Sequence, residues 1–233
     1  GMAALANHES DLAQAEALLL RVLPLRRMLG DPGGELNSYI HLGTLAVFRC
    51  EFDKARVWHS QAVMLAREIG EQRAWIHSLV NQAWGMMLSG AYQTARPIYQ
   101  EALARARDRG DVWAVCNALW GLSAIENALG QPARALAHAR AHLEFAIEVQ
   151  EKREITFAQL MLAHAHEAQG DFAEAENLYR QAMTELNQRN LRGDALMCLA
   201  GLARVALARG ELPEAQVLAS ELLDALAAKL PQV

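Results

Sequence analysis

Apolar and polar residues alternate along this chain with the period of an α-helix. Between short polar turns, apolar residues recur with the spacing of one helix face, as in Leu119 and Leu122 or Leu160, Leu162 and Ala163. The pattern predicts an all-α fold of about eleven helices, the first near residues 11–29. The others are predicted at residues 35–49, 52–69, 73–89, 92–109, 112–129, 132–149, 152–169, 172–189, 193–209 and 212–229.

An internal repeat organises these helices. Four glycines are spaced by 40 positions, and the alanine that follows each by five positions continues backwards through the chain, giving Ala15, Ala55, Ala95, Ala135, Ala175 and Ala215. A second set of small residues keeps the same period: Gly43, Ala83, Ser123, Ala163 and Ala203. Each repeat is therefore predicted to hold a first helix, A, and a second helix, B, which approach closely at these small residues.

A third set of positions predicts where the B helices end: Gly30, Gly70, Gly110, Gln150 and Asn190. Glycine and asparagine suit the left-handed turn that closes a helix, and Asp111 and Asp194 are predicted to cap the starts of A helices. The chain opens on a B helix with at most a stub of its A partner, so we expect a piece of a longer protein. The boundaries predict one domain over 2–233, with a half repeat and five full repeats at 2–30, 31–70, 71–110, 111–150, 151–190 and 191–230.

These features resemble the tetratricopeptide repeat (TPR) family. The resemblance rests on the small residue of helix A, the turn Gly170-Asp171-Phe172 and the early alanine of helix B, and it covers residues 10–230. The usual TPR period is shorter, about 34 residues. The longer period of this chain is similar to the TPR regions of maltose-type bacterial transcription activators. The resemblance implies a right-handed α-solenoid whose A helices line a concave groove.

Composition and charge narrow the possible partners. Alanine, the strongest helix former, supplies 44 of the 233 residues, and 52% of the residues are hydrophobic. The net charge of −5 argues against direct binding of nucleic acid, which requires a basic surface. The three cysteines form no CxxC pair, and the sequence has no apolar run long enough for a membrane span. We therefore expect a cytoplasmic protein with no membrane partner.

The sequence contains no signature of catalysis. It lacks a glycine-rich phosphate loop, a GxSxG motif, an HExxH motif and the Cys/His spacings of zinc sites. His164 and His166 are two positions apart and face different directions on a helix, and His142 occupies a position where other repeats pack an alanine. We predict a non-enzyme with no catalytic residues, no cofactor and no metal site.

The A helices supply the candidate binding residues. Asparagine donates and accepts hydrogen bonds and can pair with a peptide amide, while aromatic side chains offer rigid contact area. Asn81 and Asn117 are 36 positions apart and are expected one turn apart along the groove. The alternative is that these side chains only pack the helices together. The predicted ligand or peptide groove consists of Asn37, His41, His77, Asn81, Trp84, Asn117, Trp120, Asn127, Phe157, His164 and Arg204.

The function predicted from these observations is non-catalytic binding of a protein or peptide in the groove. The resemblance implies the sensing or docking part of a bacterial regulatory protein. One alternative is a sensor of a small-molecule inducer, with a closed pocket near Trp84 and Trp120. The other is a structural scaffold, a possible homodimer, which would expose apolar residues of the last helix such as Leu222, Leu223 and Leu226.

Overall fold

The chain folds into eleven helices over residues 2–227, the part that the structure describes. In this computed structural model the backbone is described over residues 2–227 and the side chains over residues 11–227. No β-strand occurs within residues 2–227, and the predicted all-α repeat fold is confirmed. The predicted last two residues of the final helix, 228–229, lie outside the described residues. The helices are α1 (Met2–Met28), α2 (Pro32–Phe48), α3 (Phe52–Glu68), α4 (Gln72–Leu88), α5 (Tyr92–Arg109), α6 (Val112–Ala128), α7 (Pro132–Glu148), α8 (Lys152–Gln169), α9 (Phe172–Gln188), α10 (Arg192–Ala208) and α11 (Leu212–Ala227).

Two helix starts differ from the predictions. α1 is one continuous helix from Met2, whereas a separate stub and a helix from about residue 11 were expected. The predicted cap Asp194 is wrong because α10 begins after Leu191, which places Asp194 in the first turn. A carboxylate there still interacts favourably with the positive end of the helix dipole. The predicted cap Asp111 is confirmed, since its carboxylate accepts a hydrogen bond from the Ala114 N–H at 3.1 Å.

The turns between successive helices share one geometry. One residue in each turn has a left-handed backbone, with φ between 57° and 81°. In the turn Gly170-Asp171-Phe172, the Gly170 N–H bonds to the Glu167 carbonyl and the Asp171 N–H to the His166 carbonyl, both at 3.0 Å, which is the pattern of a Schellman motif. The predicted helix ends are confirmed. The left-handed residues are Gly30, Cys50, Gly70, Gly90, Gly110, Gly130, Gln150, Gly170, Asn190 and Gly210.

Glycine in place of Gln150 is expected to stabilise the protein. Gln150 has a φ of 57°, which costs a residue with a Cβ about 1–2 kcal/mol and glycine almost nothing. The added freedom of glycine in the unfolded chain offsets about 0.4–1 kcal/mol of that gain. We expect Gln150→Gly to raise the free energy of unfolding by up to about 1 kcal/mol in a urea titration. As a control, Gln181→Gly on the exposed side of α9 should lower it by about 1 kcal/mol, and a loss in both variants would contradict the turn geometry.

Small residues form the contacts between helices, as the repeat predicts. Ala135, in the first turn of α7, and Ala175, in the first turn of α9, are both 0% exposed. The small residues of the A helices are buried at four of five positions, and Ala203 is half-buried. Close approach of the backbones therefore depends on side chains no larger than a methyl or hydroxymethyl group.

Two glycines of A helices face the ring of a buried tyrosine. A Cβ on Gly121 would lie 2.3 Å from the nearest ring atom of Tyr99, and a Cβ on Gly201 would lie 2.4 Å from that of Tyr179. Such distances are too short for any side chain. Glycine at these positions therefore provides the space into which the two rings fit.

The described chain divides into two compact units with a boundary inside α6. Unit 1 extends to Gly121, and unit 2 begins at Leu122. In unit 1, consecutive helices from α1 to α5 pack against each other, as do those from α7 to α11 in unit 2. Neighbouring A helices also touch within each unit, α2 with α4 and α8 with α10. The single domain over residues 2–233 stays a prediction. Among the described helices, none has the length and apolar character to cross a bilayer.

Candidate binding faces of the A helices

All eleven predicted groove residues lie on A helices. We call those up to residue 121 the A face of unit 1: Asn37, His41, His77, Asn81, Trp84, Asn117 and Trp120. Asn37, His41 and Arg204 are exposed, and the other eight side chains are half-buried. A half-buried side chain can pack in the fold and still touch a partner. That these residues bind a ligand stays a prediction.

His77 links α4 to the start of α6. Its Nε2 lies 2.8 Å from Asp111 Oδ2, and the Asp111 side chain is only 7% exposed. Burial opposes ionisation of this carboxyl, but the Ala114 N–H, His77 and the Arg73 guanidinium at 3.4 Å favour the charged form more strongly. The pKa of Asp111 therefore lies below its ordinary value. The resulting carboxylate caps α6 and holds the His77 ring in place.

Ring contacts show which A-helix positions meet in unit 1. The Phe48 and Trp84 rings meet edge to face with centroids 5.9 Å apart. The His77 and Trp113 rings lie 4.3 Å apart. Both pairs are separated by 36 positions, four fewer than the repeat, so the contacts join positions one helical turn out of step with the repeat. The repeat predicts that residues at this separation are displaced by one turn along the groove, whereas the rings at this separation touch.

The same separation of 36 positions relates Asn81 to Asn117 and Trp84 to Trp120. Asn117 uses one Nδ2 hydrogen to donate to the Trp113 carbonyl at 2.8 Å, which orients its amide plane. A side-chain amide has a second N–H and a carbonyl oxygen that can bond to a partner. On α4, Asn81 lies between His77 and Trp84, and on α6, Asn117 lies between Trp113 and Trp120. Each asparagine is therefore flanked by an aromatic ring about one turn before it and another about one turn after it.

Four side chains of unit 2 form what we call the Arg204 cluster: His164, Glu167, Tyr179 and Arg204. The guanidinium binds both carboxylate oxygens of Glu167, with N–O distances of 2.6 and 2.8 Å, in the strong bidentate geometry. The Tyr179 hydroxyl donates to Glu167 and lies 2.8 Å from His164 Nδ1. Because the hydroxyl hydrogen goes to the carboxylate, we assign a hydrogen to Nδ1 as the donor to the tyrosine oxygen.

Burial and the neighbouring charges set the protonation of this cluster. Burial lowers the pKa of His164 to about 4, and the Arg204 cation adds to the shift while Glu167 opposes it. Burial also opposes ionisation of Glu167, but hydrogen bonds from Arg204 and Tyr179 bring its pKa below the ordinary value. The cluster thus holds one cation, one anion and a neutral imidazole at pH 7. The Arg204 side chain is 49% exposed, so the cation remains accessible to solvent.

Two of the four residues of the Arg204 cluster were predicted from the sequence. His164 and Arg204 were predicted, and the structure places Arg204 Nη2 3.4 Å from His164 Nδ1. Glu167 was missed, although it lies one period after Asn127 and one turn after His164, so the repeat frame contained the signal. Tyr179 was missed because it lies on a B helix, and only A helices were considered. Phe157 contacts α8 itself, with the Arg153 guanidinium 5.2 Å from its ring centroid.

The histidines expected not to bind metal have separate partners. His166 Nδ1 lies 3.1 Å from Asp171 Oδ2, whereas His164 contacts Tyr179, so the two rings face different directions as their spacing predicted. His142 is 1% exposed, and its Nε2 lies 3.3 Å from Glu154 Oε2. That these histidines bind no metal stays a prediction.

The last described helix has an exposed apolar face. Leu223 is 65% exposed and Leu226 is 45% exposed, whereas Leu222 is half-buried. Two of the three leucines named for a self-association scaffold are therefore on the surface. Self-association and the homodimer stay predictions.

Comparison with known proteins identifies one repeat directly. A family model described as tetratricopeptide repeat matches residues 160–192, which span the end of α8, the whole of α9 and the first residue of α10 and include three residues of the Arg204 cluster. The comparison with curated proteins gives no match. The likeness to maltose-type activators therefore stays a prediction.

Solved structures extend the similarity to nearly the whole chain. BtubC (BKLC) from P. vanneervenii is 18% identical, with a TM-score of 0.74 and coverage of 95% of this chain and 94% of its own. A signal transduction ATPase (STAND) protein with a tetratricopeptide repeat sensor, from Pyrococcus horikoshii, is 15% identical, with a TM-score of 0.75 over 98% of this chain and 35% of its own. NprR in complex with its cognate peptide NprX is 17% identical, with a TM-score of 0.68 over 92% and 63%. This chain therefore has the helical repeat fold of the tetratricopeptide repeat family.

Proposed function

We propose that the A face of unit 1 binds an extended segment of a peptide or protein without catalysis. The observation that carries the proposal is that Asn81 and Asn117 are 36 positions apart, the separation at which the rings of neighbouring A helices meet. The two amides are half-buried, and His77 and Trp113 lie one turn before them. The arrangement provides hydrogen-bonding groups beside rigid aromatic surface.

The spacing of these amides suits a peptide in the extended conformation. Packed helices are about 8–10 Å apart, and an extended chain advances about 3.3 Å per residue. Asparagines on α4 and α6 would therefore bond to peptide amide groups about two or three residues apart. Because each side-chain amide both donates and accepts, these bonds would fix the peptide backbone without selecting its side chains.

Trp84 and Trp120 add apolar contact to the same face. Both are half-buried, and Trp84 packs on the buried cluster of Ala46, Val47 and Ala55. This packing holds the indole of Trp84 in one orientation, so the indole itself would lose little side-chain entropy when a partner binds. Specificity for apolar peptide side chains would come from these rings.

The comparisons support a binding module by analogy of fold. The similar NprR structure contains a cognate peptide, and the STAND protein has its tetratricopeptide repeat as a sensor. We propose that this chain is likewise the sensing or docking part of a bacterial regulatory protein in the cytoplasm. The small-molecule inducer site near Trp84 and Trp120 stays the alternative.

The test removes both amides together. We expect Asn81→Ala with Asn117→Ala to weaken binding of peptides selected from a random phage-displayed library by about tenfold or more, because several hydrogen bonds of about 1 kcal/mol each are lost. Calorimetry measures the affinity, and thermal unfolding measures the stability of the same sample. The matched control is Asn187→Ala, an exposed asparagine on the B helix α9.

The two measurements separate binding from packing. A double variant that melts like the wild type and loses affinity supports the proposal, provided that Asn187→Ala keeps it. Full affinity in the double variant overturns the proposal. A lower melting temperature with unchanged affinity also overturns it, because the amides would then only pack the helices.

A further inference from the structure

A cavity of about 620 Å³ lies in unit 2 between the start of α8 and the end of α9. Its volume is within the range of small-molecule sites, about 300–1,000 Å³. Six of the seven residues that line it are polar or charged. No predicted groove residue and no member of the Arg204 cluster lines it, so the cavity is separate from both.

The same place in the first full repeat is filled by hydrophobic side chains. Leu36 and Tyr39 of α2 belong to a buried cluster there, and Leu65 and Ile69 of α3 pack against it. The residues three periods later, on α8 and α9, are Thr156, Gln159, Glu185 and Arg189. All four line the cavity. Polar side chains therefore replace the hydrophobic ones in this repeat, and they border open space where the first repeat is packed.

Gln159 shows this replacement most clearly. The equivalent residues of the other full repeats, Tyr39, Leu79, Leu119 and Leu199, are between 1% and 5% exposed. Gln159 is half-buried, and its amide has no hydrogen-bond partner among the residues that the structure describes. Its Oε1 and Nε2 are not enclosed by the protein. The amide therefore leaves an acceptor oxygen and two N–H donors for a molecule in the cavity.

The cations of the cavity lack close ion pairs. Lys152 has no ion-pair partner in the described part of the chain, and Arg189 Nε lies 3.9 Å from Glu185 Oε2, beyond hydrogen-bond distance. Elsewhere in unit 2, Arg180 and Arg209 contact carboxylates at 2.8 and 2.6 Å. The two cations and one anion that line the cavity give it a net charge of +1, which matches a ligand with one negative charge.

We propose that this cavity binds a small hydroxylated carboxylate, such as a sugar acid. The carboxylate forms charge-assisted hydrogen bonds with Lys152 and Arg189. The Gln159 and Gln188 amides both donate and accept hydrogen bonds, which suits hydroxyl groups because these also do both. The carbon–hydrogen face of the sugar packs on Ile155. The site is independent of the proposed peptide face, so either can fail without the other.

The test compares glucuronate, glucose and acetate as ligands of the full chain in titration calorimetry. Glucose has a similar ring without the carboxylate, and acetate has the carboxylate without the ring. We expect glucuronate to bind at least about tenfold more tightly than either, because only it uses both the cations and the amides. In NMR spectra, glucuronate should also shift the side-chain amide resonances of Gln159 and Gln188.

The matched variants are Gln159→Leu and Gln181→Leu. The first introduces the residue that three equivalent positions already carry, so the chain should fold at least as stably, while glucuronate should bind about tenfold more weakly. Gln181 is exposed on α9 and does not line the cavity, so Gln181→Leu should bind like the wild type. Arg189→Gln should reduce the preference for glucuronate over glucose.

Four results would each overturn the proposal. They are equal affinities of the wild type for glucuronate and glucose, an unshifted Gln159 amide, full affinity of Gln159→Leu, and an equal loss of affinity in both glutamine variants. The first two need no variant to fold.

Discussion

Leucine in place of Ala175 is expected to lower the free energy of unfolding by about 1–3 kcal/mol. Ala175 is 0% exposed in the first turn of α9, which packs against both α8 and α10. Protein interiors are close-packed, so three additional carbon atoms must push the helices apart or adopt strained rotamers. Urea unfolding followed by circular dichroism measures the loss.

The neighbouring residue provides the matched control. Glu174 is exposed, so Glu174→Leu adds a similar apolar side chain without entering the core, and its effect should stay within about 0.5 kcal/mol. A stability of Ala175→Leu equal to that of Glu174→Leu would show that the contact between these helices tolerates larger side chains. The small-residue repeat would then not describe the packing.

The helix positions could be predicted because each turn and each contact has its own residue type. Left-handed turns select glycine at Gly90 or Gly170, and close helix contacts select alanine at Ala135. Cys50 and Gln150 adopt the same φ without being glycine. Their turns could still be placed because the period, and not the residue, located them.

The side-chain clusters were harder to predict because they depend on how helices tilt. The repeat relates positions one full period apart, yet Phe48 meets Trp84 one helical turn short of that separation. Tyr179 comes from a B helix and reaches His164 on the preceding A helix. A periodic sequence shows which residues are equivalent, but the contacts between equivalent helices follow from their packing angle.

The buried His59, whose ring nitrogens have no hydrogen-bond partner among the described residues, is another feature that the repeat hides. Tyr99 and Tyr179 lie one and three periods after it, so its position predicts a buried ring. His59 lies between a glycine of the preceding A helix, Gly43 of α2, and one of the following A helix, Gly85 of α4, whereas Gly121 and Gly201, which face the tyrosines, both come from the following A helix. Which neighbouring helix supplies the glycine is a tertiary property that the repeat alone does not give.

Lowering the pH from 7 to 5 is expected to reduce the free energy of unfolding by about 1–2 kcal/mol for each of His59 and His164. Burial lowers the pKa of both rings to about 4, whereas an unfolded histidine titrates near about 6.5. Between these values the unfolded chain binds protons that the folded chain does not. Stability is therefore fully present above about pH 6.5 and declines until about pH 4.

The carboxylates of Asp111 and Glu167 change the free energy of unfolding over a lower pH range than the two histidines do. Hydrogen bonds and cations hold the pKa values of Asp111 and Glu167 below their ordinary values despite burial. Their contribution to stability is present above the pKa of the unfolded side chain, about 4, and is lost only as the pH falls below that value. A loss of stability between pH 7 and 5 therefore reports the buried histidines.

Urea titrations at several pH values between 5 and 7 measure this slope. His59→Phe should remove about half of it, because a phenyl ring binds no proton in either state, and His164→Gln should remove the other half. A slope that His59→Phe and His164→Gln leave unchanged would mean that these rings accept protons in the folded chain. Burial would then not hold the pKa values of His59 and His164 below the ordinary value, and the assignment of neutral imidazoles would be wrong.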